Sequence, residues 1–260
     1  MHLETILLET TADIATLTFN RPEKRNAITP KMIDELSAAL DAIEKTSVRA
    51  LILTGVGKAF CSGMDLEQLI AFSSHSPAEN LELSRRLAAA FRRLWSFSKP
   101  TIAAVNGAAV GGGCGFATLC DFTLSVPEAK FGYPEVRAGY IPAIVSVFLL
   151  RQIGEKRARD LLLTGRIIGA EEALSFGLLN QIVPAETLLS AAHKLAESLR
   201  ACSPVSLQKT KKLLFDFVAS DVDYDLEKAA TDSADMRFTP DFQEGLASFL
   251  EKRLPRWAKE

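Results

Sequence analysis

The chain is poor in the residues that carry most nucleophilic, redox and metal chemistry, with only four cysteines and three histidines in 260 residues. Cys61, Cys114, Cys120 and Cys202 form no C-x-x-C pair, and their apolar or glycine-rich settings are those of buried thiols rather than disulfides or zinc ligands. His2, His75 in the polar stretch FSSHSPAEN, and His193 inside a helix-like run read as solvated or packed side chains, which leaves a cysteine nucleophile without a base. Charge of one sign is also missing: 30 basic against 32 acidic residues give a net charge of -2, which argues against a general binder of nucleic acid or membrane surfaces. No uninterrupted apolar stretch reaches the roughly 20 residues that span a bilayer. The segment MHLETILLET has neither the basic start of a signal peptide nor the Arg/Ser-rich character of a transit peptide, so a cytoplasmic location is expected.

Three common catalytic signatures fail as well. GVGKAF (Gly55–Phe60) has Ile52 and Ala59 where a P-loop needs glycine and Ser/Thr, Phe116 stands where G-x-G-x-x-G would end, and G-x-S-x-G does not occur. Nucleotide-dependent and serine-hydrolase chemistry therefore have no footing.

What is present is a large apolar fraction, 48%, enough for a sizeable core, and a clear alternation of patterns. Residues 4–10 and 13–19 predict a hairpin around Thr11–Asp13, and strands follow at 49–54, 101–106 and 121–126. Thr29-Pro30 reads as an N-cap with proline at the first helical position, opening a helix that turns Ile33, Leu36, Leu40 and Ile43 inward. Ala71–Asn80 is the longest stretch expected to lack regular structure. Beyond residue 183 the strand pattern stops, and Pro184–Arg200, Pro204–Ser220, Tyr224–Met236 and Pro240–Leu250 read as amphipathic helices. Lys209, Lys211 and Lys212 read as the solvated face of one of them.

Function shows most clearly in Ala104–Asp121, AVNGAAVGGGCGFATLCD, where a strand runs into Gly111, Gly112 and Gly113 and then a helix. A helix start presents unpaired N–H groups at the positive end of its dipole, and glycine lets a ligand oxygen approach them. A second strand, RALILTG (Arg49–Gly55), precedes KAFCSGMDL (Lys58–Leu66), in which Gly63 precedes another helix start. Two such turns can aim two backbone donors at one oxygen, the construction of an oxyanion hole.

NRPEKRNAIT (Asn20–Thr29), GKAFCSGMDL, AVNGAAVGGGCGFATLCDF and AKFGYPEVRAGYIPA, in this order, resemble the enoyl-CoA hydratase/isomerase, or crotonase, family over nearly the whole chain. The resemblance implies an α/β fold, a crotonase-like spiral of βαβ-type turns with a helical C-terminal region. Residues 1–183 would be the spiral core carrying the CoA and oxyanion site, and 184–260 a helical region for oligomerisation into a homotrimer or homohexamer. It implies an acyl-CoA thioester as substrate and no separate cofactor or metal, coenzyme A being part of the substrate. The oxyanion donors would be the backbone N–H groups of Met64 and Gly112.

In hydratases of this family two glutamates share the proton transfers. The one after the F-G-x-P-E proline is present as Glu135, whereas Gly115 stands where the other would be. Three outcomes remain open: hydration with Glu135 moving both protons, Δ3,Δ2-enoyl-CoA isomerisation with Glu135 as single base, or non-catalytic binding of acyl-CoA or RNA. The near-neutral charge and the lack of a basic-aromatic patch argue against RNA. The string EVRAGYIPAIVSVFLLRQIG (Glu135–Gly154) resembles bacterial hydratases of branched, methylglutaconyl-type acyl-CoAs, which carry glycine at the first position and favour the hydratase. Gly115 would then leave space beside the reacting carbons for a branch, with Arg137 or Tyr140 in reach of it. The resemblance also implies CoA contacts from Lys24, Arg25, Ala27, Ser62, Gly63, Asp65, Leu66 and Gly111, with Lys252 reaching a neighbouring subunit. Read on its own, Asp65 is a helix cap.

Overall fold

The structure is a computed structural model and describes residues 3–258, which leaves His2 outside. The chain opens with the expected hairpin, β1 (Ile6–Thr11) and β2 (Ile14–Phe19), paired antiparallel from Ile6–Phe19 to Thr11–Ile14. Then come α1 (Pro30–Glu44), β3 (Ala50–Gly55), β4 (Ala59–Cys61), α2 (Leu66–Phe72), α3 (Pro77–Trp95), β5 (Thr101–Val105), β6 (Ala108–Val110) and α4 (Gly112–Thr118). The chain continues through β7 (Phe122–Ser125), β8 (Lys130–Gly132), α5 (Ala143–Thr164), β9 (Ile167–Gly169), α6 (Ala170–Phe176) and β10 (Gln181–Ile182). It ends in α7 (Leu188–Arg200), α8 (Pro204–Asp216), α9 (Ala219–Met236) and α10 (Pro240–Leu250).

The strands form two sheets, in the orders β1-β2-β3-β5-β7-β10 and β4-β6-β8-β9. Successive pairs β3/β4, β5/β6 and β7/β8 each place one strand in each sheet, and both sets pair parallel in chain order. The backbone therefore winds as a spiral, and each short second strand delivers the chain to one end of the molecule. Local chemistry sets the helix starts: the Thr29 hydroxyl accepts from Met32 N–H at 3.2 Å, and Met32, Ile33, Leu36, Leu40 and Ile43 are buried on the face the spacing predicts.

Ala71–Asn80 is more ordered than the sequence reading expected. Ser76 and Glu79 form a reciprocal capping box that starts α3, and the buried Asn80 side chain donates to the Phe72 carbonyl at 3.0 Å, so only residues 73–76 lie between helices. The four C-terminal helices are present as expected, although α9 begins at Ala219 rather than Tyr224. They are not an appendage: α9 packs on α3 and α5, and Val222, Leu226, Ala229 and Ala230 join the one hydrophobic core.

Asn26 pins the loop that leads into the site. It is fully buried in the left-handed region at φ 56°, which asparagine tolerates. Its Nδ2 donates to the Val56 and Ala59 carbonyls at 3.0 and 2.8 Å, and its Oδ1 accepts from Arg21 N–H at 2.8 Å. Asn26→Ala strands all three partners and is expected to destabilise the fold by about 2–4 kcal/mol. In urea unfolding the midpoint should fall with the slope unchanged; a shift worth less than about 0.5 kcal/mol contradicts this role.

Candidate active site

The two glycine turns meet. Gly63 (φ 87°) and Gly111 (φ 55°) both occupy backbone conformations that L side chains rarely adopt, and a Cβ built on either would lie 3.8–3.9 Å from the Cα of the other. They abut because β4 and β6 are parallel neighbours, so the chain leaves both strands at the same end of the sheet. Ile28 holds the first turn in place: its N–H donates to the Gly63 carbonyl at 2.8 Å, and its carbonyl accepts from Asp65 N–H at 2.9 Å. This bridge leaves Met64 N–H turned the other way, with no acceptor among the described residues. Gly112 N–H, the first of α4, likewise has no acceptor among the described residues, because the first N–H groups of a helix have no carbonyl a turn earlier to bond.

Both turns line a cavity of about 540 Å3. Of the expected site residues, Lys24, Arg25, Ala27, Ser62, Gly63, Met64, Asp65, Leu66, Gly111, Gly112 and Glu135 all line it. Lys252 does not; it is exposed beyond the end of α10, while Phe249 of α10 does reach the cavity. Ser233 and Arg237 line it too, so residues beyond 183 form part of this wall.

Glu135 sits against the glycine turn, its Oε1 2.9 Å from where a Cβ of Gly111 would be. Its Oε2 is buried with no hydrogen-bond partner. Burial raises the carboxyl from 4.5 to about 7, opposed only by a hydrogen bond from its own backbone N–H. The other carboxylates on the wall are engaged: Asp65 caps α2 through Glu67 N–H at 3.0 Å and pairs with Arg21 at 2.9 Å, and Glu67 pairs with Lys24 at 2.6 Å. Asp65 is thus a cap, as read from the sequence, and Glu135 is the carboxylate on this wall without an ion-pair partner among the described residues.

The space expected beside Gly115 is filled. A Cβ there would come within 2.4 Å of Phe91 Cε1 and 2.8 Å of Val145 Cγ1. Phe91 cannot easily give way, because its ring packs against Phe116, tilted by 33° with centroids 4.5 Å apart, in an aromatic run that includes Phe19 and Phe60. Arg137 also departs from expectation: it is exposed, its Nε donates to the Thr164 carbonyl at 2.9 Å, and it is not on the cavity wall. Tyr140 is on the wall, its hydroxyl bonded to Ser233.

The cysteines are free: Cys61, Cys114 and Cys120 are buried with thiols pushed up to about 12 by burial, and Cys202 is exposed. Burial thereby disfavours the thiolate form of Cys61 and Cys114 at neutral pH. His75 packs against Phe72 at 5.6 Å. Among the described residues no three His, Cys, Asp or Glu side chains group as metal ligands, and no helix is long and apolar enough to cross a membrane.

The enoyl-CoA hydratase/isomerase family model matches residues 9–260. The chain belongs to the enoyl-CoA hydratase/isomerase family. A Thermus thermophilus chain provisionally named an enoyl-CoA hydratase is 44% identical over 245 residues, covering 94% of this chain and 97% of its own. The crotonyl-CoA hydratase of Syntrophomonas wolfei is 35% identical over 257 residues, 97% of each chain. Among solved structures, an enoyl-CoA hydratase/isomerase from Xanthobacter autotrophicus Py2 superposes with a TM-score of 0.90 at 31% identity, covering 97% of this chain and 95% of that one. The two-sheet spiral is accordingly the crotonase fold, and the hydratase/isomerase family frames the chemistry of Glu135.

Sequence reasoning missed several residues that build the site. Ile28, fully buried, stands out in the sequence only as part of the NRPEKRNAIT motif. Arg21, which ties Asp65 and the Ala27 carbonyl (2.6 Å) together, is indistinguishable in sequence from the exposed Arg25. Phe91, Val145 and Arg237 carry no local signal, because what defines them is contact across more than twenty residues of chain.

Proposed function

We propose that the protein is an enoyl-CoA hydratase in which Glu135 is the sole acid/base. The observation that carries the proposal is the buried Glu135 Oε2, which lacks a hydrogen-bond partner, lying against the glycine turn that presents the Gly112 N–H. A thioester carbonyl oxygen seated on Met64 N–H and Gly112 N–H gains negative charge as hydroxide adds to C3, and each donor contributes about 3 kcal/mol at that moment. Glu135 takes the proton from water, the hydroxide oxygen bonds to C3, the C2=C3 π electrons move into the enolate, and Glu135 returns the proton to C2. Water is added with atoms and charge balanced and no group beyond the substrate's own CoA. Lys24 and Arg25, both exposed at the cavity, suit the CoA phosphates. Because the Gly115 space is filled, a branched acyl group has to be accommodated elsewhere along the wall.

The single unpaired carboxylate favours one second reading, Δ3,Δ2-isomerisation, in which Glu135 carries a proton from C4 to C2. We place the protein in the cytoplasm as a homotrimer or homohexamer, with residues 184–260 as the assembly region. Leu213, Leu214, Phe217 and Tyr224 form an exposed apolar group there that suits a second copy.

Following the enoyl-thioester absorbance with crotonyl-CoA, 3-methylcrotonyl-CoA, 3-methylglutaconyl-CoA and a 3-enoyl-CoA decides between these readings. Loss of the 2-enoyl band is the expected result; its appearance from the 3-enoyl substrate alone indicates the isomerase, and no change with any of them overturns both. Since the carboxylate form takes the proton, kcat/KM should rise with pH to a plateau with an apparent pKa near 7, as burial dictates. A profile flat between about pH 5 and 8 contradicts Glu135 as the base.

A further inference from the structure

The cavity has a polar end that hydration does not use. Arg237, at the C-terminus of α9, lines the cavity yet is only 3% exposed. Its Nη1 donates to both the backbone and side-chain oxygens of Asn80, each at 2.9 Å, and its guanidinium lies 4.8 Å from the centre of the Phe72 ring. Its Nε is buried without any partner, and Nη2 makes no hydrogen bond or ion pair among the described residues. No carboxylate among the described residues pairs with it. The α9 C-terminus and Asn80 suffice to hold the cation in position, but half of its planar fork is unused.

Beside it, one helical turn earlier on α9, Ser233 lines the same cavity and is bonded to the Tyr140 hydroxyl. Tyr140 starts from Glu135, its N–H donating to the Glu135 carbonyl at 3.0 Å. Tyr140 thus ties the backbone of Glu135 to Ser233. The same cavity is lined by the apolar side chains of Leu87, Phe91, Ile144 and Val145. A cavity with apolar walls and a buried cation that has no ion-pair partner among the described residues suits a chain that is apolar in the middle and anionic at its tip.

We infer that Arg237 receives a terminal carboxylate of the acyl group, so that the favoured substrates are monothioesters of dicarboxylic acids. This rests on the acyl-CoA reading of the cavity. The role expected of Arg137 thereby falls to a residue on the cavity wall.

The test compares pairs that differ only in the terminal group. Glutaconyl-CoA should be hydrated with a kcat/KM higher than that of 2-pentenoyl-CoA by about tenfold to a hundredfold, the range of one charge-assisted hydrogen bond. Arg237→Met, which keeps the contact with Phe72, should collapse this ratio toward one, and Arg237→Lys should recover part of it. A merely structural arginine would lower both rates and leave the ratio alone. Binding of the unreactive pair glutaryl-CoA and pentanoyl-CoA, by calorimetry on the wild-type protein, gives a readout free of folding or turnover. A wild-type preference for glutaryl-CoA without turnover of any enoyl-CoA sustains this inference and overturns the hydratase. Turnover with equal affinity for the two members, or a preference for pentanoyl-CoA, overturns the inference and leaves the hydratase standing.

Discussion

Glu135→Gln lowers kcat by about a hundredfold to ten-thousandfold while KM stays within a few-fold, because the amide fills the same space but cannot carry a proton. The same substitution should make the protein more stable in alkaline solution. The carboxyl titrates near 7 when folded and near 4.5 when exposed, so between those values the folded chain holds a proton that the unfolded chain has released. Stability therefore declines as pH rises through that window and stays lower above it. Glutamine removes this dependence: the variant and wild type should unfold at similar urea concentrations near pH 4, and the variant at a higher one at pH 8. Retention of more than about a tenth of the wild-type kcat would show that another group moves the proton.

Gly115→Glu does not restore a two-carboxylate hydratase; it is expected to destabilise the fold by about 3 kcal/mol or more and to abolish turnover. The Cβ alone would press on Phe91 at 2.4 Å and Val145 at 2.8 Å, and the carboxyl would have to enter a region in which Phe91 and Phe116 are fully buried. Phe91 is held on both sides, by Phe116 at 4.5 Å and Phe148 at 6.4 Å, so relief requires moving the aromatic run as a whole. Urea denaturation together with the crotonyl-CoA assay measures both effects. A stable variant with faster hydration would mean that the Phe91–Val145 wall yields readily.

These two positions show where sequence reading succeeds and where it stops. The glycine turns, the Thr29 cap and the α1 face are legible because each is decided within a few residues, by backbone freedom, capping or period. Glu135 is legible by its motif, but its raised pKa is not, since the burial that causes it comes from walls contributed by distant segments. The absence of a carboxylate at Gly115 is plain in the sequence; that Phe91 and Val145 occupy the place is a matter of packing across more than twenty residues of chain. Arg237 sits in a run of polar residues at the end of an amphipathic helix, where a charge reads as solvent-facing, and only the tertiary structure turns it inward. The order in Ala71–Asn80 had a local signal, Ser76 followed three residues later by Glu79, that the polar composition of the stretch obscured.

Because consecutive turns of the spiral touch at Gly63 and Gly111, and α9 closes the cavity from the far end of the chain, the site belongs to the winding rather than to any one segment. A nascent chain that has completed only its first turns carries Met64 without Gly112, and one lacking its last helices carries Glu135 without Arg237. Neither partial product holds the whole set of residues that lines the cavity, which is complete only once Phe249 of α10 has been added.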